Sequence, residues 1–120
     1  MNEKLNRKPY DLGERTKLFA KEVIAYQNTL SKTLANNEIR KQLIRSAGSV
    51  GANYIEANES FSKKDFALRI KTCRKEAKES RYWLELLEVN GDEPEKRRQT
   101  LIQEATELLR IFNAIIEKKN

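Results

Sequence analysis

The sequence predicts an all-α fold, an antiparallel up-down-up-down four-helix bundle. Charged residues make up 35% of the chain and hydrophobic ones 38%, with only 4 Gly and 2 Pro, a balance that suits amphipathic helices better than sheets. Apolar residues recur at steps of three, four and seven, and nowhere alternate as strand residues do. Cap and turn signals then divide the chain into four segments, near 11–33, 37–60, 63–89 and 94–118, which short loops join antiparallel. At 120 residues they fill one core, so a single domain spanning 1–120 is expected.

The first segment opens at Asp11, with Glu14 as its capping-box partner, and carries Leu12, Phe19, Val23, Tyr26 and Leu30 on one face. Asn36 or Asn37 can cap the second. It carries one stripe of Ile39, Leu43, Val50 and Ala57 and another of Ile44, Gly51 and Ile55. Ser62 and Asp65 open the third and most regular segment, whose seam runs Phe66, Ile70, Cys73, Ala77, Ser80, Leu84 and Leu87. Asn90-Gly91 stops it, and Asp92, Glu93 and Pro94 start the fourth. That last helix carries Leu101, Ala105, Leu108, Phe112 and Ile115, flanked by Ile102, Leu109 and Ile116. The second and fourth helices are apolar over a wider arc than one seam needs. Either another subunit covers part of them or the core is broad and monomeric.

The chain contains no histidine, which removes the usual general base, the Ser-His and Cys-His pairs and every imidazole-dependent metal site. The lone Cys73 lies on the central seam and reads as a buried, inert thiol, and an unpaired cysteine suits a reducing, cytoplasmic setting. No apolar run is long enough to span a membrane. Carboxylate chemistry survives this exclusion, because Glu56 with Glu59 and Glu76 with Glu79 form two Glu-x-x-Glu pairs. They fit a Mg²⁺-dependent nucleotide hydrolase, or glutamates paired with the nearby Lys75, Lys78 and Arg81. The second reading is favoured, so neither catalysis, a metal nor a cofactor is expected.

Two features point to binding instead. Gly48 and Gly51 should each cost a helix about 1 kcal/mol relative to alanine, which close helix approach would offset. Ala47 with Gly51, or Gly48 with Ala52, supplies small residues four apart, and Asn53 and Ile55 extend this candidate packing or subunit interface. Asn53, Glu56, Asn58 and Arg45 lie beside the apolar stripes, where polar groups fix helix register or a subunit contact. The second feature is charge. Residues 63–78 hold seven bases against two acids, and Lys64, Lys71, Lys75 and Lys78 fall on one helix face, with Arg74 beside them. Such a stripe either neutralises nucleic-acid phosphates or is merely solvated. No aromatic residue interleaves with it, so backbone contact without base stacking is expected.

The run Gln42-Leu43-Ile44-Arg45-Ser46, then Ser49 to Asn58, Ser62-Lys63-Lys64-Asp65-Phe66 and Glu79-Ser80-Arg81-Tyr82-Trp83-Leu84 resembles the four-helix-bundle family named after proteins encoded in 23S ribosomal RNA intervening sequences. The likeness extends from Tyr10 into the fourth helix. Many members carry Pro-Ser-Asn-Ile-Ala-Glu-Gly where this chain reads Gly51-Ala52-Asn53-Tyr54-Ile55-Glu56-Ala57, which marks a distinct branch. The family also resembles the accessory protein of diversity-generating retroelements, a basic homopentamer that works with a reverse transcriptase and nucleic acid. What the resemblance implies is a homo-oligomer, a pentamer by that analogy, with RNA or DNA and a reverse transcriptase or other protein as partners. Most members have no assigned cellular role. The rival expectation is a protein-interaction or structural scaffold that binds no nucleic acid.

Overall fold

The computed structural model describes residues 11–119, so Tyr10 and both ends of the expected 1–120 domain lie outside the described residues. Within them the chain is an all-α four-helix bundle: α1 (Leu12–Gln27), α2 (Leu34–Asn58), α3 (Lys63–Leu86) and α4 (Asp92–Lys119). Each helix packs on its sequence neighbour and α1 closes the ring on α4, whereas α1 and α3, like α2 and α4, do not pack together. Consecutive elements in contact through short loops give the up-down-up-down order.

Periodicity located the inward faces well. Phe19, Val23 and Tyr26 of α1, Leu43 and Val50 of α2, Ile70, Cys73, Ala77 and Leu84 of α3, and Leu101, Leu108 and Phe112 of α4 join in one buried core. In the last turns of α4 the buried position is Ile116, and Ile115 is only half-buried.

The ends of α1 and α2 differ from expectation because nearby threonine and glutamine side chains decide them. α1 stops at Gln27, where the Thr29 hydroxyl donates to the Tyr26 carbonyl at 2.7 Å and the Gln27 amide to the Ile24 carbonyl at 3.0 Å. These side chains satisfy carbonyls that the next helical turn would otherwise take. Asp11 makes no side-chain cap bond. Thr33, not Asn36 or Asn37, caps α2, its hydroxyl accepting from the Asn36 N–H at 3.0 Å. The fully buried Asn36 side chain has other work: its amide donates to the Ser31 and Glu88 carbonyls, both at 3.0 Å, while its oxygen accepts from the Glu88 N–H at 2.8 Å. One side chain therefore ties the α1–α2 connection to the chain just beyond α3. Ser62 caps α3 as expected, and Gly91, at φ 102°, makes the left-handed turn before α4.

The contacts between helices differ in kind. Small residues bring α2 and α3 together, with the Ser46 and Ser80 hydroxyls bonded at 2.8 Å in the buried interface. Against α1, a Cβ added to Gly51 would lie 3.1 Å from the Thr16 hydroxyl, so α2 passes close there and any side chain would require Thr16 to shift by a few tenths of an ångström. The α1–α4 junction is polar at its rim. Arg15 of α1 donates to both Glu104 oxygens at 2.8 and 3.0 Å and to Glu107 at 3.0 Å, and the Tyr26 hydroxyl donates to the Pro94 carbonyl at 2.8 Å. No helix among the described residues is long and apolar enough to cross a membrane.

Candidate nucleic-acid interface

The residues singled out on α2 separate onto two faces. Ala47 is buried and Gly51 meets Thr16, so this small pair admits α1. Gly48 has open space where its side chain would be, and Ala52 and Ile55 are exposed. These three, with Gly51 at its seam with Thr16, line a groove of about 570 Å³ with Ala20 and Ile24 of α1, rimmed by Glu14, Lys17 and Lys21. Gly48-x-x-x-Ala52 is therefore not an intrachain packing pair. It forms the floor of an apolar surface groove.

Of the polar residues beside the α2 stripes, Arg45, Asn53 and Glu56 reach α3, and Asn58 is exposed at the end of α2. Asn53 holds the Ser49 carbonyl and hydroxyl at 2.9 Å and accepts from Arg69 at 3.0 Å. Arg69 also pairs with Glu56 at 3.9 Å, and Arg45 reaches across to Glu76, at 3.4 Å, and Glu79. The hydrogen bond to Glu76 holds the Arg45 guanidinium above its ordinary pKa. Lys75, Lys78 and Arg81 of α3 are the partners expected for these glutamates, yet arginines reaching across between α2 and α3 take them. Arginine's planar fork suits two carboxylates at once. Among the described residues no three acidic or thiol groups gather as a metal site would require. Cys73 is fully buried, and burial pushes its thiol up to about 12, far from a reactive thiolate at neutral pH.

On its other face α3 meets α4 along a second groove of about 570 Å³, lined by Lys71, Arg74, Lys75, Lys78 and Arg81 with Leu109 and Asn113 of α4. The stripe read from the sequence therefore lies together, except Lys64, which is exposed in the first turn of α3 and outside the groove. Arg74 donates to Asn113 at 3.0 Å and Arg81 to Thr106 at 3.3 Å, neutral partners that aim the guanidinium groups and leave their charge uncompensated. No carboxylate lines the groove, and among the described residues none of the five cations is in an ion pair.

Arg81 and the α4 wall were missed because they depend on how two helices register. A third omission was legible. Tyr82 follows Lys71, Lys75 and Lys78 at the next step of four, and it is 53% exposed. The basic face thus carries an aromatic ring, contrary to expectation.

A model of the 23S rRNA-intervening sequence protein family matches residues 10–114. The chain belongs to that family. A crystal structure of a protein of unknown function from the S23 ribosomal protein family of Bacteroides thetaiotaomicron is 29% identical. It aligns over 87% of this chain and 96% of its own, with a TM-score of 0.73. No curated protein matches this chain with significance. Both grooves, from Gly13 to Asn113, lie inside the part of the chain that the intervening-sequence family model covers.

Proposed function

We propose that this chain acts by binding, and that its α3–α4 groove takes the phosphate backbone of RNA or DNA without reading base sequence. One observation carries the reading: five cations line one groove with no carboxylate among them. Side by side, such cations repel one another, and a polyanion relieves that repulsion while releasing its own counterions. Catalysis is not part of the proposal. There is no histidine, the Arg-held Glu56, Glu76 and Glu79 serve as ion-pair partners, and the only thiol is buried and protonated.

The same proposal includes self-association through the α1–α2 groove. Ile24 and Ile55 stay 45% and 62% exposed there, above a floor of Gly48 and Ala52 that a neighbouring helix can approach closely. Copies joined this way present the basic groove once per subunit, which raises avidity for one long nucleic acid. The pentamer of the resemblance is one form such an assembly takes.

The test is a gel shift with RNA and DNA across salt concentrations, on the wild type and on Lys71→Glu/Lys75→Glu/Lys78→Glu. Wild-type affinity should fall steeply with salt. The triple variant should bind on the order of 100-fold more weakly at low salt, with a shallower slope. Unchanged binding by that variant would reject the groove and favour a protein-interaction scaffold.

A further inference from the structure

We infer that the α3 face selects single-stranded nucleic acid, with Tyr82 as the platform on which one unpaired base stacks; this rests on the nucleic-acid reading above. An exposed aromatic residue alone is ordinary. What sets Tyr82 apart is its register. Lys71, Lys75, Lys78 and Tyr82 follow one another at steps of four, three and four along about 16 Å of helix, with no ion pair on the three lysines among the described residues. Glu85 on the next turn ends the positive run, so Tyr82 stands at its boundary.

The ring is also held in place. Its centroid lies 5.1 Å from that of Trp83 at an interplanar angle of 63°, and the Trp83 indole N–H donates to Glu79 at 3.3 Å. A braced ring loses little freedom when a base covers it. Cations tracking a backbone beside one aromatic platform are the two elements of sequence-tolerant single-strand binding. A duplex can use only the first. Its bases already stack on both sides, and bringing one to Tyr82 would require unstacking and unpairing it.

The experiment compares the affinities of single-stranded RNA and DNA 12-mers and of the matching duplexes for the wild type, Tyr82→Ala, Tyr82→Phe and Tyr82→Leu. Circular dichroism melting checks that each variant is folded. Single strands should bind the wild type more tightly than duplexes. Tyr82→Ala and Tyr82→Leu should weaken single-strand binding about ten-fold and change duplex binding less than two-fold, while Tyr82→Phe keeps it. Fluorescence of Trp83, the chain's one tryptophan, should be quenched by single strands only. If Tyr82→Ala binds single strands as the wild type does, or if duplexes bind the wild type equally well, the inference is overturned while the polyanion reading stands. If the wild type binds neither form, both fall.

Discussion

Two of the bundle's grooves, near 570 Å³ each, are built from helix pairs that share no member. The α1–α2 groove is floored by Gly48 and Ala52 and walled by Ala20, Ile24 and Ile55. The α3–α4 groove is walled by five cations. Equal volume with opposite chemistry implies different occupants. An apolar groove gains from excluding water against another protein surface, whereas a cationic groove repels a second copy of itself and attracts polyanions. The contrast also separates two kinds of arginine. Arg45 and Arg69 are held by carboxylates between α2 and α3, while Arg74 and Arg81 are held only by neutral oxygens.

The largest expected effect is the roughly 100-fold loss of nucleic-acid affinity on reversing Lys71, Lys75 and Lys78. For the two grooves to be independent, the same variant must keep the wild-type mass in light scattering. A change of mass would show that the basic face takes part in assembly. The converse variant is Ile55→Glu, which places a charge on the wall of the apolar groove. If the wild type is heavier than 14.0 kDa, Ile55→Glu should make it dissociate at least ten-fold more readily, since burying an unpaired carboxylate at an interface costs about 2 kcal/mol or more. Each Ile55→Glu monomer should still bind a short oligonucleotide as before. A monomeric wild type at high micromolar concentration would remove the assembly proposal.

Next in size come the two glycines that divide α2 between core and groove. Gly48→Ala meets nothing within 4 Å and removes helix-weakening flexibility, so it should raise stability by about 0.5–1 kcal/mol in the monomer. Gly51→Ala gains the same propensity but sets a methyl 3.1 Å from the Thr16 hydroxyl, itself donating to the Gly13 carbonyl at 3.1 Å. The gain should be cancelled or reversed. Urea melts of both variants check the difference. A Gly48→Ala variant that is more stable yet assembles poorly would show that a partner backbone approaches this floor.

What the sequence made legible follows from how local each feature is. The α3 seam of Ile70, Cys73, Ala77, Ser80 and Leu84 is buried throughout, because steps of three and four define a helix face wherever the helix sits. The basic stripe was readable for the same reason, and so was Tyr82 once the count is carried one step further. The cap of α2 is the local Thr33, while the tie that Asn36 makes was not legible because its partner Glu88 lies 52 positions away. The glutamate partners were misread likewise. Arg45 and Glu79 are 34 residues apart, and only the register of α2 against α3 brings them together. The open state of Gly48 and the closed state of Gly51 depend on where α1 crosses, which the spacing of small residues leaves undetermined.

The smallest effect concerns the junction between the two grooves' helices, where Arg15 of α1 grips Glu104 and Glu107 of α4. The Gln103 amide first, and then Arg15, hold the Glu107 carboxyl below its ordinary range. A carboxyl depressed by folding contributes stability that is fully present above its unfolded value, about 4.3, and is lost as pH falls through its lower folded value. Thermal stability should therefore decline below about pH 4. Glu107→Gln should flatten part of that decline, and at neutral pH should cost less than about 1 kcal/mol because the pair is partly exposed. Since this clamp touches neither groove, oligonucleotide binding at pH 7 should be the same in Glu107→Gln as in the wild type. A parallel loss of binding would mean that the α1–α4 junction sets the geometry of the cationic wall, and the two grooves would then be coupled.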